Sequence, residues 1–553
     1  MTPRSYCIFH SRDMLSFLNG KSKSITGAAM VLAAASFLSR FIGIFRERIF
    51  ASQFGTGDLV DAYVAAFRIP DLLYMLLVMG ALSAGFIPVF TSLWQKDTER
   101  AWRLVSTALN ILGIVLIIVS GVLIVFAPAV TAVIVPGFSP EKMELTTRLM
   151  RVIFISPIIL GLSAIVSGVL QSLHYFVIYA LTPILYNLGI IAGAVFLVPY
   201  FGPMGLAYGV LIGALLHLCI QLPALWRAGF RWRHHIDWRM KELHQIIRIM
   251  VPRAIGLGAT QFTIIALTSF ASTFSVGALA IFHYANNLQS FPVGIIGISF
   301  AIAAFPTLSA LAAKGDIESF VSHVSATLRQ VIFFMVLLTV YFLLLRAQIT
   351  RVVLGTGAFD WNATIATGDA LALFSLSLIP QAILPLLQRA FYALHDARTP
   401  LTAAITGLIA TIGLAYGLAN HTTLGIAGIA LAFSLGVTVQ VIVLWWLLRR
   451  QVGSLGEAGS LRAIYTMVGA GLVAGIAVQV SKTLVGMAIG TETFWAVFTQ
   501  LVVPATIGAL VYGGILYAFK SPEMVSFVAA IRSRLFKNPG PTEELTNTTS
   551  ANE

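Results

Sequence analysis

The sequence predicts an all-α, polytopic membrane protein with about fourteen transmembrane helices, built as two pseudo-symmetric six-helix lobes plus two C-terminal helices. Three observations carry that reading. The 553 residues are 58% hydrophobic and only 10% charged, where soluble domains carry roughly 25% charge. The apolar runs are as long as an α-helix needs to cross hydrocarbon, and they lack the short alternating segments of an outer-membrane barrel. Several motifs also recur at an offset near 220 residues.

Residues 1–24, with Arg4, Arg12, Lys21 and Lys23, read as a basic cytoplasmic tail without the apolar stretch and small-residue site of a cleaved signal peptide. The first lobe covers 25–227, with spans near 25–46, 61–93, 104–134, 148–172, 178–200 and 204–226. A linker follows at 228–248, where "HHIDWRMKELHQIIR" (234–248) reads as a basic amphipathic surface helix. The second lobe covers 249–450, with spans near 249–274, 277–312, 323–346, 366–392, 399–419 and 424–448. Two extra spans, 462–485 and 493–519, lie within 451–520, and 521–553 reads as a partly disordered cytoplasmic tail.

The repeat is visible in "QSLHYF" (171–176) and "YALHDA" (392–397), each just before a threonine-proline pair that opens a span. "FIPVFTSL" (86–93) likewise resembles "AFPTLSAL" (304–311). A unit of six spans is even, so both copies enter the membrane from the same side, as in transporters whose two bundles face a central cavity.

The net charge of +13 does not indicate nucleic-acid binding, because the basic residues sit in short loops. Loops after even-numbered spans hold Arg100, Arg103, Arg231, Arg233, Arg239, Lys241, Arg449 and Arg450, while "STFSVG" and "NHTT" after odd spans hold none. Lys142, Arg148, Arg346 and Arg351 are exceptions. The balance places both termini in the cytoplasm. The two cysteines, Cys7 and Cys219, cannot form a disulfide framework. No phosphate-binding loop, cofactor motif, metal-ligand spacing or nucleophile–base set stands out, so neither ATP hydrolysis nor catalysis is expected. Membrane lipids are the expected surroundings, and no feature of the chain fixes an oligomeric state.

What stands out is charge inside apolar sequence. "AASFLSRFIGIFRERIF" (34–50) holds Arg40 and Arg46, although a guanidinium in hydrocarbon costs about 2.5–3.5 kcal/mol. Arg40 and Glu47 share a helix face, and Arg46 lies about 9 Å along the axis from Arg40. In the second span Asp61, Arg68 and Asp71 share a face, and Pro70 should kink the helix. Two readings stand. Arg40 and Arg46 pair structurally with Asp71 and Asp61, or they present planar forks to phosphate oxygens. In the second lobe "FHYANNLQSFPVGIIG" (282–297) offers His283, Asn286, Asn287 and Gln289, which either line a cavity or bond neighbouring helices.

The stretch "SFLSRFIGIFRERIFASQFGTGDLVDAYVAAFRIPDLLYMLLVMGALSAGFIPVF" (36–90) resembles the MurJ/MviN family of the multidrug/oligosaccharidyl-lipid/polysaccharide exporter superfamily. The resemblance rests on Ser39 to Arg46, Asp61 to Phe67 and Pro70 to Leu73, and extends to "FPVGIIG" (291–297) and "FYALHDARTP" (391–400). It implies an inner-membrane lipid II flippase of bacterial peptidoglycan synthesis, working by alternating access on a polyprenyl-diphosphate glycolipid. It implies that Arg40 and Arg46 are cavity residues, with Arg46 facing the diphosphate; together with Ser39, Asp61, Arg68, Tyr74, Asn286 and Asn287 they make up the expected substrate-binding set. It also implies a groove for the lipid tail in the last two spans. Two positions depart from the family: Tyr74 and Asn287 stand where basic residues are usual. A flippase for another lipid-linked oligosaccharide, or a cation-coupled drug exporter, are the alternatives.

Overall fold

The computed structural model describes residues 25–79, 85–234 and 236–535, so the expected N-terminal tail and the end of the C-terminal one lie outside the described residues. The first half comprises α1 (Ile25–Phe54), α2 (Asp58–Ala66), α3 (Arg68–Tyr74), α4 (Ile87–Lys96), α5 (Thr98–Val125) and α6 (Ala127–Ile134). It continues through α7 (Pro140–Ser172), α8 (Phe176–Phe201) and α9 (Met204–Arg227). The second half comprises α10 (Lys241–Ser272), α11 (Ala278–Lys314), α12 (Ile317–Leu344), α13 (Arg346–Leu354), α14 (Trp361–Ser375), α15 (Leu378–Ala393), α16 (Arg398–His421) and α17 (Gly425–Val452). Then come α18 (Glu457–Ile489), α19 (Phe494–Ala518) and α20 (Pro522–Leu535). No strand occurs among the described residues.

Ten described helices are long and apolar enough to cross a membrane, or eleven if the bent pair α14–α15 is one span. Three segments that the sequence reading also counts, α1, the broken α2–α4 and α10, are outside that number.

Helix ends follow local chemistry. Asp97, Ser139, Asp316, Asp360 and Thr493 each accept a hydrogen bond from the backbone N–H three residues on, opening α5, α7, α12, α14 and α19. Pro70 breaks the second span as expected: α2 stops at Ala66 and α3 begins at Arg68, because the proline ring excludes the carbonyl four residues back. A π-helical turn follows at Met75–Met79, and its counterpart at Val293–Gly297 follows Pro292 at the repeat spacing.

The repeat is sharpest at two histidines. His174 and His395 have positive φ, 68° and 60°. Each ends a helix with the same hydrogen-bond pattern, Tyr175 N–H to Leu170 C=O and Asp396 N–H to Phe391 C=O. Asp396 then receives the Arg398 and Thr399 N–H groups at 2.9 and 3.0 Å and opens α16. Partial burial alone would raise the Asp396 carboxyl, but these bonds and the Thr399 hydroxyl overcome it and hold it below its ordinary value.

One expectation is corrected. Residues 236–240 of the linker are not helical. Asp237 N–H instead meets the Thr107 hydroxyl, and Asn110 donates to the Arg233 carbonyl and accepts from the Trp232 indole, laying this stretch along α5. The helix begins at Lys241 and runs unbroken into the next span. Within the stretch expected as a partly disordered tail, Pro522–Leu535 form α20, fixed by Arg329 to Glu523 at 3.0 Å and by the Ser521 hydroxyl on the same carboxylate.

Within the first half, α8 and α9 cross at glycines spaced four apart. A Cβ on Gly209 would sit 2.5 Å from the Gly193 Cα, and one on Gly189 2.2 Å from the Gly213 Cα. Such close backbone approach is how membrane helices gain dispersion contacts without a hydrophobic driving force. Gly209→Ala should therefore lower thermal stability in detergent, by about 1–3 kcal/mol for overpacking. Gly413→Ala, with nothing within 4 Å of its Cβ, should not. Equal melting temperatures for both variants would contradict this packing account.

Candidate functional site

Charged side chains from the first half and His283 from the second converge on a cavity of about 210 Å³. α1 supplies Arg46 and Glu47, α2 supplies Tyr63, α3 supplies Arg68 and Asp71, α8 supplies Tyr186, and α11 supplies His283. The break at Pro70 turns Arg68 and Asp71 toward this space. A second, more apolar chamber of about 320 Å³ adjoins it, shares Arg46 and Glu47, and is lined by Arg40, Asn287, Phe291 and Phe342.

The two arginines of α1 are in different states. Arg46 is committed: Nη1 donates to Asn187 Oδ1 at 2.9 Å and Nη2 to Glu47 Oε1 at 2.5 Å. The other Glu47 oxygen lies 3.4 Å from His283 Nε2, which Asn287 Nδ2 also approaches at 3.0 Å. Arg40 is exposed in the chamber and forms no hydrogen bond or ion pair with any described residue. Its guanidinium lies against α11 where Gly294 makes room; a Cβ there would be 2.2 Å from Nη1. Arg68 donates through Nε to the Thr268 hydroxyl at 2.8 Å.

The expected ion pairs Arg40–Asp71 and Arg46–Asp61 do not form. Asp61 is 1% exposed and lies away from both cavities. One oxygen accepts the Lys142 ammonium at 2.5 Å and the Gly277 N–H at 2.9 Å; the other accepts the Ala280 N–H at 2.7 Å. It thus caps the N-terminus of α11 from the other half of the molecule, where the helix dipole favours negative charge. Lys142 also meets Asp58 at 2.7 Å. As a loop residue against the charge rule, Lys142 already stood out in the sequence, but its role did not.

Around Asp61 the halves close. Gly277 packs on the Thr56 carbonyl, too tightly for any Cβ, and its positive φ suits only glycine. Ala358 N–H donates to Ser52 C=O at 2.8 Å, Tyr284 hydroxyl to Gly55 C=O at 3.2 Å, and Arg48 to the Val352 carbonyl at 2.5 Å. All these contacts use loops after odd-numbered spans.

Other expected site residues lie elsewhere. Asn286 joins an amide chain inside the second half: Gln289 donates to it at 3.1 Å and accepts from Gln381 at 2.6 Å. The helix-bonding reading therefore describes Asn286 and Gln289, while His283 and Asn287 reach the cavities. Tyr74 is half-buried beside the Leu73, Val78, Leu116 and Ala164 cluster. Ser39 is half-buried and lines neither cavity. Tyr63, Tyr186 and Asn187 were missed; only the polar pair in "LYNLG" inside an apolar run hinted at the last two.

A sequence model of the family "Lipid II flippase MurJ" matches residues 50–505. The chain belongs to that family. A probable lipid II flippase MurJ of Rhizobium tropici is 30% identical over 470 residues, covering 83% of this chain and 87% of that protein. The lipid II flippase MurJ of Burkholderia cenocepacia is 28% identical over 458 residues, covering 81% and 88%. Among solved structures, "Lipid II flippase MurJ, inward closed conformation" is similar with a TM-score of 0.72 and 22% identity, covering 92% of this chain and 99% of that one. An inward-facing multidrug resistance MATE transporter follows with a TM-score of 0.64 and 18% identity, covering 78% and 99%. These likenesses establish the fold of this MurJ-family member: two facing bundles of a membrane transporter.

In this member the seal at Asp61 should be the element that keeps one end shut. Removing one partner of a buried pair costs roughly 3–5 kcal/mol. With Ser52→Cys and Ala358→Cys as reporters, a short thiol cross-linker should bridge the halves readily in the parent. The yield should fall about tenfold or more in Asp61→Ala and less in Asp61→Asn. Unchanged cross-linking in Asp61→Ala would show that the apolar seam alone holds the end closed.

Proposed function

We propose that this protein moves lipid II, a polyprenyl-diphosphate-linked peptidoglycan precursor, from the cytoplasmic to the outer leaflet of the bacterial inner membrane by alternating access. The observation that carries this reading is Arg40, a guanidinium in an apolar helix with no hydrogen bond or ion pair among the described residues, held against Gly294 of the facing half. An unpaired intramembrane cation marks a substrate pathway, and its planar fork suits phosphate oxygens. The relatives' printed names point to the same cargo. Substrate contact is assigned to Arg40 first; Arg46, fixed by Asn187 and Glu47, shapes the wall beside it, with Arg68 and Asn287 near.

In this reading the chain has fourteen spans and both termini are cytoplasmic. Residues 25–227 and 249–450 are the two lobes, and α18 and α19 form a groove for the polyprenyl tail. The sealed end, built from odd loops, faces outward. Transport needs no cofactor and no catalysis. The diphosphate leaves the cytoplasm as an anion, so an inside-negative potential helps, by about 2.3 kcal/mol per charge per 100 mV. The pocket of about 150 Å³ in the second half presents Thr260, Thr263, Gln381, Thr411 and Gln440 and no carboxylate, which argues against a sodium site there.

Growth of cells depleted of their resident lipid II flippase tests the assignment. The parent chain should restore growth. Arg40→Ala should fail, because it removes the free donor, and a lost charge-assisted bond costs roughly 1.5–3 kcal/mol. Arg46→Lys should fail nearly as badly as Arg46→Ala, since one ammonium cannot hold Glu47 and Asn187 in the same fork geometry. Full growth with Arg40→Ala at matched membrane levels would overturn the phosphate role.

Orientation has its own test. In a background of Cys7→Ser and Cys219→Ser, Thr422→Cys should react with impermeant thiol reagents in intact cells. Gln451→Cys should react only after the cells are opened. Both positions are exposed, so the reverse pattern would invert the topology.

A further inference from the structure

The cavity holds a carboxylate that nothing has claimed. Asp71, on α3, lines the cavity, is exposed to it, and forms no hydrogen bond or ion pair with any described residue. The nearby arginines are engaged elsewhere, Arg46 by Asn187 and Glu47, and Arg68 by Thr268. A lone carboxylate at membrane depth is costly, and such a group marks a functional position. The charge inventory gives it a meaning. The lining counts two arginines, Arg46 and Arg68, and two carboxylates, Glu47 and Asp71, so this cavity is not a simple anion trap. It has two open poles instead: the free cation Arg40 in the adjoining chamber, and the free anion Asp71 across the shared Arg46–Glu47 wall. A cargo that satisfies both carries a cationic group as well as phosphate.

We propose that Asp71 is a second recognition subsite, which accepts a protonated amine of the cargo's head group while Arg40 takes the diphosphate. This rests on the flippase reading above. The ammonium donates to a carboxylate that α3, starting at the break beside Pro70, presents to the cavity. It also discriminates: a polyprenyl diphosphate without the amine leaves Asp71 unpaired in the cavity as the protein closes around it.

The test uses the full-length protein in vesicles, with two probes: lipid II with its free amines, and the same lipid after exhaustive N-acetylation. The parent should move the native lipid about tenfold faster than the acetylated one. Asp71→Asn, which keeps the shape, should move both at the same slow rate, and Asp71→Glu should recover part of the preference. The proposal is overturned if the parent moves both lipids equally, or if Asp71→Asn still prefers the native one. Asp71→Asn that keeps the preference but loses dependence on a proton gradient would make Asp71 a proton carrier instead. A parent that moves neither lipid would remove the flippase reading itself, and this subsite with it. A parent that moves both equally would remove only the subsite.

Discussion

Asp61 ties the two halves of this protein into one machine. A carboxylate buried this deeply is tolerable only if both oxygens are bonded, and here three donors reach them: the ammonium of Lys142 and two backbone N–H groups at the start of α11. Two of those donors belong to the second half, so the charge is satisfied in full only when the molecule closes. Breaking that closure leaves Asp61 with Lys142 alone and strands the N-terminus of α11 without its acceptor. That cost makes the closed end a discrete state and not a loose contact, which is what a transporter that alternates between two shapes requires.

The same rule, applied a few turns deeper, separates structure from function among the cavity charges. Arg46, Glu47, Asn187 and His283 form a wall whose polar atoms engage one another across three helices. Such a wall positions groups but has little left to offer a ligand. Arg40 and Asp71 lie on either side of it with no hydrogen bond or ion pair among the described residues. In the proposed reading, a bound ligand recovers the cost of leaving them so. Gly294 matters for the same reason: a methyl group there would push the Arg40 fork away from α11.

The two halves share a plan and differ in charge. Both copies of the second span of the repeat carry a proline followed by a π-helical turn, and both copies end a helix on a left-handed histidine. The first copy places Arg68 and Asp71 near its turn, whereas the second places Asn286 and Gln289, which bond inward to Gln381. The second half thus spends its polar groups on its own packing, and the first half presents them to the space between.

Much of this was legible in the sequence, because hydropathy, helix caps and the cost of a charge in an apolar run are local properties. They sufficed for the all-α membrane class, the repeat and the kink at Pro70, and they singled out Arg40 and Arg46 as charges that needed an explanation. They could not say which charge meets which. Asp61 and Asp71 share a face of the same broken span, yet one is sealed among Lys142 and the α11 amides and the other stands open in a cavity. Partners contributed by helices more than eighty or two hundred residues away decide that difference. Asn286 and Asn287, neighbours in sequence, likewise part company, one into the amide chain and one to the chamber wall. The sequence determined where charge would be expensive; only the tertiary structure decided which charges were compensated by the protein and which were left for a ligand, because compensation requires atoms brought together by folding.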